Sequence, residues 1–555
     1  MNNRRIILPR TRGSRGVWLS GVALGALALC FTIPAANALT FTEGDLVVSV
    51  EGNGDGSASN GASATGNTGA NTNKYLDNQA APLSLYEFKT TGTNQTPVGT
   101  QTLSQVTSGK NVAVSGEYGS SSEAQLQLSG NGQYLTIAGY ATNAATYNKF
   151  FDPNGASLLN NGTGTALAQS CSLSSGCGGT PQVSRVIVRI GDNGWVNSST
   201  VLNNVANTNN PRSVYSADGK SFYISGQGSG NAGDNTGGVF YVPGVGPGQT
   251  AVSITGTDAT STGNPPNDFG QDTRNVQIYN NTLYVSTDTK QGSNSARDFI
   301  GTLGSPGTPP TTVANSSNGP AQLTGFGATS AAGKDTGKVT IATGANTNGN
   351  QFNNTTTKSN GTASNLINLS PAGFFFANAT TLYVADTGSP KNDSNGDTST
   401  SKTNTGDGGL QKWILNTITN TWSLAYTLTA GLHDFVKNNA TAGTTGLLGL
   451  TGEVINGGTQ VELFATNYTI GDTDQTYLYS IIDTLSRTTN PNPIGSPATE
   501  QFVTLATATL GTNFKGVAFA PANTPTPLPA AWTCMVTGLA GAGFVAKFRK
   551  RRVRA

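Results

Sequence analysis

One histidine stands among the 555 residues, His433 in Gly-Leu-His-Asp-Phe. A Ser-His-Asp triad needs an imidazole base oriented by an acid, so His433 beside Asp434 is its only candidate. No Gly-x-Ser-x-Gly elbow accompanies it, and no HExxH, phosphate loop or dinucleotide fingerprint occurs. His433 therefore reads as a loop residue. Oxygen ligands alternate in Asp393-Ser-Asn395-Gly-Asp397 as they do in a calcium loop. Thr398 occupies the place of the turn glycine, however, and no Glu stands at the twelfth position. Calcium on Asp393, Asn395 and Asp397 is the one cofactor the sequence offers; otherwise none is expected. Gly471-Asp472-Thr-Asp474 is a shorter acidic cluster of the same kind. A carboxylate pair for glycoside hydrolysis is defined by its separation in space, which a sequence does not reveal.

Of the four cysteines, Cys30 and Cys534 lie in apolar stretches near the two ends. The remaining pair, Cys171 and Cys177, brackets five residues in CSLSSGC. A zinc site would need two further Cys or His nearby, and there are none. In an oxidising compartment such a pair reads as a local disulfide, which for so short a loop contributes on the order of 2 kcal/mol or less.

The positioning of these residues begins with how the chain is delivered. Arg4, Arg5, Arg10, Arg12 and Arg15 precede an apolar run from Val17 to Ile33, and Ala36-Asn37-Ala38 supplies a small-x-small cleavage site. Residues 1–38 are thus expected to be a signal peptide. Leu27-Ala-Leu-Cys30 matches a lipoprotein box poorly because Leu29 is large, and Arg4-Arg5 lacks the Ser/Thr that normally precedes a twin-arginine pair. At the other end Pro527-Leu528-Pro529-Ala530 leads into an uncharged run to Ala546. Seventeen residues at ~1.5 Å each make about 25 Å of helix, close to the ~30 Å of a bilayer's hydrocarbon. Lys547, Arg549, Lys550, Arg551, Arg552 and Arg554 follow, and would hold that end in the cytoplasm.

This order of proline motif, apolar span and basic end resembles the PEP-CTERM class of sorting signals, in the variant built on Val-Pro-Leu-Pro-Ala, with Thr526 in place of Val. The resemblance covers residues 524–555. It implies an exosortase-like membrane enzyme as processing partner, an inner-membrane precursor, and a mature protein at the cell surface or in the extracellular matrix. A plain membrane anchor is the alternative.

Between the ends, residues 39–523 hold 20 Lys/Arg against all 29 Asp/Glu, a net charge of −9. An acidic body without a basic patch excludes nucleic acid as a partner. Apolar residues cluster in short alternating runs such as Leu46–Val50, Tyr134–Ala138, Val186–Ile190, Thr282–Ser286, Thr381–Ala385 and Tyr477–Ile481. Each is bounded by Gly, Asn or Asp, which is the strand signature, and no helical period is found. Hairpins recur at 126–137, 213–224, 276–285, 374–384 and, more loosely, 449–464. Recurrent four-stranded units are the pattern of a β-propeller, and Leu382-Tyr-Val-Ala-Asp-Thr-Gly388 with Leu410-Gln-Lys-Trp413 resembles one blade of NHL-type propellers. The expected fold is all-β: a propeller of six blades, or seven if Lys338-Val-Thr-Ile341 begins another. The sixth unit would pair Val517-Ala-Phe519 with the N-terminal strands.

Segments 52–73, 255–266, 344–365 and 391–409 are nearly pure Gly, Asn, Ser, Thr and Asp, too polar to fold alone. As loops on a propeller they would dress a binding face. The reading of function is an exported surface or matrix protein whose body binds carbohydrate, such as exopolysaccharide, or another surface protein. The alternative is a secreted propeller hydrolase acting on glycans, phosphate esters or lactones through loop carboxylates.

Overall fold

The computed structural model describes residues 39–52, 79–120, 122–151, 165–229, 235–255, 272–288, 298–313, 319–326, 338–340, 366–388, 408–437, 442–469, 474–492, 497–509 and 511–522. Among them are 28 strands and one α-helix. The first strands are β1 (Leu46–Glu51), β2 (Ala80–Phe88), β3 (Gly99–Thr102), β4 (Ser115–Glu117), β5 (Gln127–Leu128), β6 (Tyr134–Tyr140), β7 (Arg185–Gly191) and β8 (Val196–Leu202). With β28 (Asn513–Phe519) they form a nine-stranded sheet ordered β28-β1-β2-β4-β6-β7-β8, with β3 on β2 and β5 on β6.

Two four-stranded meanders follow. One comprises β9 (Pro211–Tyr215), β10 (Phe222–Gly226), β11 (Gly238–Val242) and β12 (Val252–Ser253); the next, β13 (Thr273–Tyr279), β14 (Thr282–Thr287), β15 (Phe299–Leu303) and β16 (Ala321–Gln322). A hairpin of β17 (Lys338–Thr340) and β18 (Leu366–Asn368) stands apart. Then come a meander of β19 (Pro371–Asn378), β20 (Thr381–Asp386), β21 (Gly409–Asn416) and β22 (Thr421–Leu428), and a five-stranded one of β23 (Phe435–Lys437), β24 (Ala442–Ile455), β25 (Gln460–Thr469), β26 (Tyr477–Thr484) and β27 (Val503–Thr507).

The body is all-β and propeller-like. Strands β5, β9, β13, β19, β24 and β28 neighbour one another in that order around a closed circuit. Closure is made by the first and last described strands, as expected: β1 pairs antiparallel with β28, with Leu46 opposite Phe519 and Val48 opposite Val517. Two sheet edges that would otherwise template aggregation are thereby removed. The expected count of six or seven separate blades is not what is found. Among the described residues, free-standing propeller-like sheets number four, because β4 bonds to both β2 and β6 and fuses the first strands into one sheet, while Lys338–Thr340 pairs with Leu366–Asn368 alone.

One contact repeats around the circuit. A hydroxyl on a second strand takes the N–H of its own inner strand and donates to a carbonyl of the next inner strand. Ser225 Oγ accepts Ser213 N at 3.2 Å and donates to Arg274 O at 2.6 Å. Ser286 Oγ accepts Asn275 N and donates to Ala372 O. Ser49 links Gly516 N to Ala124 O, and Thr466 links Gly449 N to Lys515 O. Thr136 donates to Val214 O. Ladder register shifts accompany these sites, with two residues of the inner strands β28, β9, β13 and β24 opposite the one hydroxyl residue, the local bend a β-bulge supplies. The inner strands approach so closely that a Cβ at Gly516 would lie 2.1 Å from Leu126 N. Only glycine fits there.

Apolar cores lie between adjacent sheets. Tyr215, Val239, Val276 and Val285 share one, Phe299, Phe376, Leu382 and Trp413 another, and Leu410, Leu447, Leu463 and Ile481 a third. Central strands are therefore buried on both faces: every residue of β1 is buried, including Ser49 and Glu51. Edge strands keep the alternation of one wet face, as in β3.

The helix α1 (Ala144–Phe151) departs from the expectation of no helix. Asn143 Oδ1 accepts Thr146 N at 2.7 Å, an N-cap. Asn148 bonds both backbone groups of Ala80. Two turns are too short to register as a period in sequence.

Candidate functional site: a charged end of the ring

The repeated contact also fixes what stands at one end of the ring, where inner strands begin and second strands finish. The first residue of the bulge is Lys515, Arg212 or Arg274. Two residues past the hydroxyl on the second strand stands Glu51, Gln227 or Asp288. Because strand side chains alternate, that spacing puts each partner on the face of its hydroxyl.

The pairs form as this predicts. Lys515 Nζ lies 3.3 Å from Glu51 Oε2 and donates to Ser120 O. Arg212 donates to Asp272, to Gln227 Oε1 at 2.8 Å, to Ser122 Oγ at 3.0 Å and to Thr273 O. Arg274 Nη2 lies 3.1 Å from Asp288 Oδ2, and its Nε 3.6 Å from Asp272. Asp288 Oδ2 also accepts Ser370 Oγ at 3.3 Å. Ser370 N donates to Asp386 Oδ2, which Gln411 Nε2 reaches at 2.8 Å.

A second group adjoins Glu51. Glu123 accepts Glu117 N, Tyr140 OH at 2.8 Å and Asn210 Nδ2 at 3.0 Å. The Tyr140 ring lies 4.6 Å beneath the buried guanidinium of Arg185. That guanidinium donates to the carbonyls of Ala168, Ser170, Val183 and Ala206.

Burial governs the electrostatics. It pushes the Glu51 carboxyl well above the usual range, partly offset by Lys515. It raises Glu123 as well, against hydrogen bonds from Glu117 N, Tyr140 and Asn210 that favour the ionised form. Asp288 is pushed up to about 6 by burial, with Arg274 opposing. Burial also lowers the Arg212 guanidinium, and the neighbouring Arg274 adds to that. Across the circuit the corresponding places are apolar: Ala372, Leu448 and Tyr468 pack together. One side of this end is thus charged and internally paired, the other apolar.

Strand ends flanking the low-complexity segments meet here too. Glu51 precedes the 52–73 segment, Asp272 follows 255–266, Ser370 follows 344–365, Thr387 precedes 391–409, and Gly408 is near the end of that last segment. Their contacts tie them together: Ser370 to Thr387 at 2.6 Å and Gly408 N to Thr445 O at 2.8 Å.

The residues singled out from sequence are not brought together. Cys171 and Cys177 form a disulfide, with Sγ atoms 2.09 Å apart. His433 is exposed, stacked 4.6 Å from the Tyr477 ring, with Nε2 3.2 Å from Thr504 Oγ1. Asp393, Asn395, Asp397, Asp472, Ala36, Ala38, Pro527 to Ala530 and the basic residues from Lys547 to Arg552 lie outside the described residues. Among the described residues, no helix is long and apolar enough to cross a membrane and no acidic, His or Cys cluster is arranged for a metal. Sequence reading missed Glu51, Glu123, Arg212, Asp272, Arg274, Asp288 and Lys515. A signal existed in charges embedded in strand runs, as in Val-Ser-Val-Glu51 and Phe-Lys515-Gly-Val-Ala-Phe. No protein-family model matches the chain, and no curated protein matches it.

Proposed function

We propose that the chain is an exported protein of the cell surface or extracellular matrix, delivered through its PEP-CTERM-type tail, whose body binds carbohydrate or protein at the charged end of the ring. The observation that carries the binding reading is the pairing there. Lys515, Arg212 and Arg274 each face a carboxylate, so these groups build a fixed polar floor instead of holding a free general base. Strand ends that lead into the low-complexity sequence gather around that floor, and chain carried on a rigid scaffold is where recognition concentrates.

We read the nine-stranded sheet as two four-stranded runs, β28-β1-β2-β3 and β5-β6-β7-β8, joined by β4. That reading makes six repeats, in line with the six inner strands of the circuit. A hydrolase is the second reading, favoured by Glu51 and Glu123, two buried carboxyls of which the second adds to the raised proton affinity of the first.

Co-sedimentation of the purified chain with exopolysaccharide from the producing cells tests the binding reading. Retention that Arg212→Ala or Arg274→Ala weakens, with the fold intact by circular dichroism, supports it. Turnover of glycan or ester substrates that Glu123→Gln abolishes would replace it with the hydrolase.

A further inference from the structure

Away from the ring's charged end, between the last two meanders, the side chains of Lys412 on β21 and Asp483 on β26 are fully buried, with Nζ 2.8 Å from Oδ2. Tyr426 OH donates to Asp483 Oδ1 at 2.6 Å, and Tyr383 OH donates to Oδ2. Lys412 Nζ also reaches Tyr426 OH at 3.1 Å and Thr484 O at 2.7 Å. The Tyr426 and Tyr383 rings lie 5.3 and 5.6 Å from Nζ. A second carboxyl, Glu500, is close enough to Asp483 and Lys412 to interact with both electrostatically; its side chain is 11% exposed, and Arg487 Nη1 stands 3.3 Å from Oε1.

We propose that Lys412 and Asp483 condense to an intramolecular amide, with Glu500 as the proton-transfer group. An amine becomes a nucleophile when it loses its proton, and a carboxylate becomes an electrophile when it gains one. Transfer of a proton from Nζ to Asp483 across their 2.8 Å contact does both. The groups are predisposed to this. Burial lowers the Lys412 ammonium, although Asp483 opposes the shift. Burial, and then the neighbouring Asp483, push Glu500 up to about 8, so it holds a proton more readily than an ordinary carboxyl does.

The Nζ lone pair adds to Cγ of Asp483, and the Tyr383 and Tyr426 hydroxyls donate to the oxygens on which negative charge develops. Glu500 delivers its proton to the departing oxygen and accepts one from the nitrogen. The Cγ–O bond breaks, the Nζ–Cγ bond remains, one water leaves, and Glu500 is regenerated. No oxidant or other co-reactant takes part. Fixed proximity replaces the activation an amide bond otherwise needs in water. The product would tie the last two meanders across 71 residues.

Peptide mass spectrometry of the full chain after digestion tests this. The expected result is a branched peptide joining the Lys412 and Asp483 segments, lighter than their sum by one water, with no tryptic cut after Lys412. Glu500→Gln should leave the two segments unlinked while the chain elutes as a folded species. Lys412→Arg, which keeps a cation but is a poor nucleophile, should also be unlinked. Recovery of both segments as separate, full-mass peptides from the folded wild-type chain would overturn the proposal, as would a link that persists undiminished in Glu500→Gln.

Discussion

At single residues, charges stand where burial makes them costly. Glu51 and Lys515 are both buried and 3.3 Å apart. Removing one partner strands the other, which typically costs about 3–5 kcal/mol, whereas replacing both with apolar groups costs far less. Lys515→Met should therefore destabilise by several kcal/mol in urea denaturation, and Lys515→Met with Glu51→Leu should recover most of the loss. Equal destabilisation by single and double variants would show that the pair is not coupled.

Asp288 gives a pH test at the same scale. Its folded pKa, about 6, lies above the ordinary ~3.9, so the folded state binds the proton more tightly than the unfolded chain does. An acid raised in this way contributes stability at low pH that is lost as pH rises from about 4 through 6, on the order of 1–3 kcal/mol given its coupling to Arg274. Asp288→Asn cannot titrate. Between pH 4 and pH 7 the variant should gain on the wild type by about that amount, measured by denaturation at each pH. Parallel pH profiles would contradict the assignment.

At the scale of elements, the hydroxyl shared between neighbouring inner strands is the unit that builds the ring. Ser225→Ala or Ser286→Ala leaves a buried N–H and a buried carbonyl without their partner. Each should cost about 1–3 kcal/mol. A serine exposed on an outer loop, changed in the same way, should cost close to nothing. Gly516→Ala is the sharper element-scale test: its Cβ would meet backbone of the next inner strand, which cannot swing aside as a side chain would. Such a chain should fail to close its ring and yield little folded protein.

The elements were also what the sequence made most legible. Hairpins expected at 126–137, 213–224, 276–285, 374–384 and 449–464 are all present, and β1 meets β28. They could be read because Asn, Asp and Gly turns punctuate apolar runs of fixed length. Thr282-Leu-Tyr-Val-Ser286 and Thr381-Leu-Tyr-Val-Ala385 even occupy the same place in two units. What stayed hidden was sheet membership: β4 is Ser-Gly-Glu, three residues with no apolar pattern, yet it fuses two strand runs into one sheet. The charged end was hidden for a different reason. Arg212 and Asp272 are 60 residues apart and meet only through the ring. Lone charges in strand runs are visible as anomalies, but their partners are not.

At the scale of the whole molecule, an acidic all-β body stands between two apolar ends whose expected roles are export and sorting. The disulfide at Cys171–Cys177 fits an oxidising compartment. Non-reducing alkylation of the exported body should label neither thiol. An uncleaved tail would hold the body at the inner membrane, since each large apolar side chain of the span contributes roughly 1.5–3 kcal/mol on burial. A body recovered at the outer surface must then have lost that span. Tryptic mass spectrometry of surface material reads this directly, because cleavage after Lys515 releases the segment that begins at Gly516. Sorting and processing predict that this peptide ends near Pro527-Leu-Pro-Ala530 and that nothing from Gly538 onward is recovered. An intact peptide from Gly516 to Lys547 in the surface fraction would contradict the account and leave a plain membrane anchor.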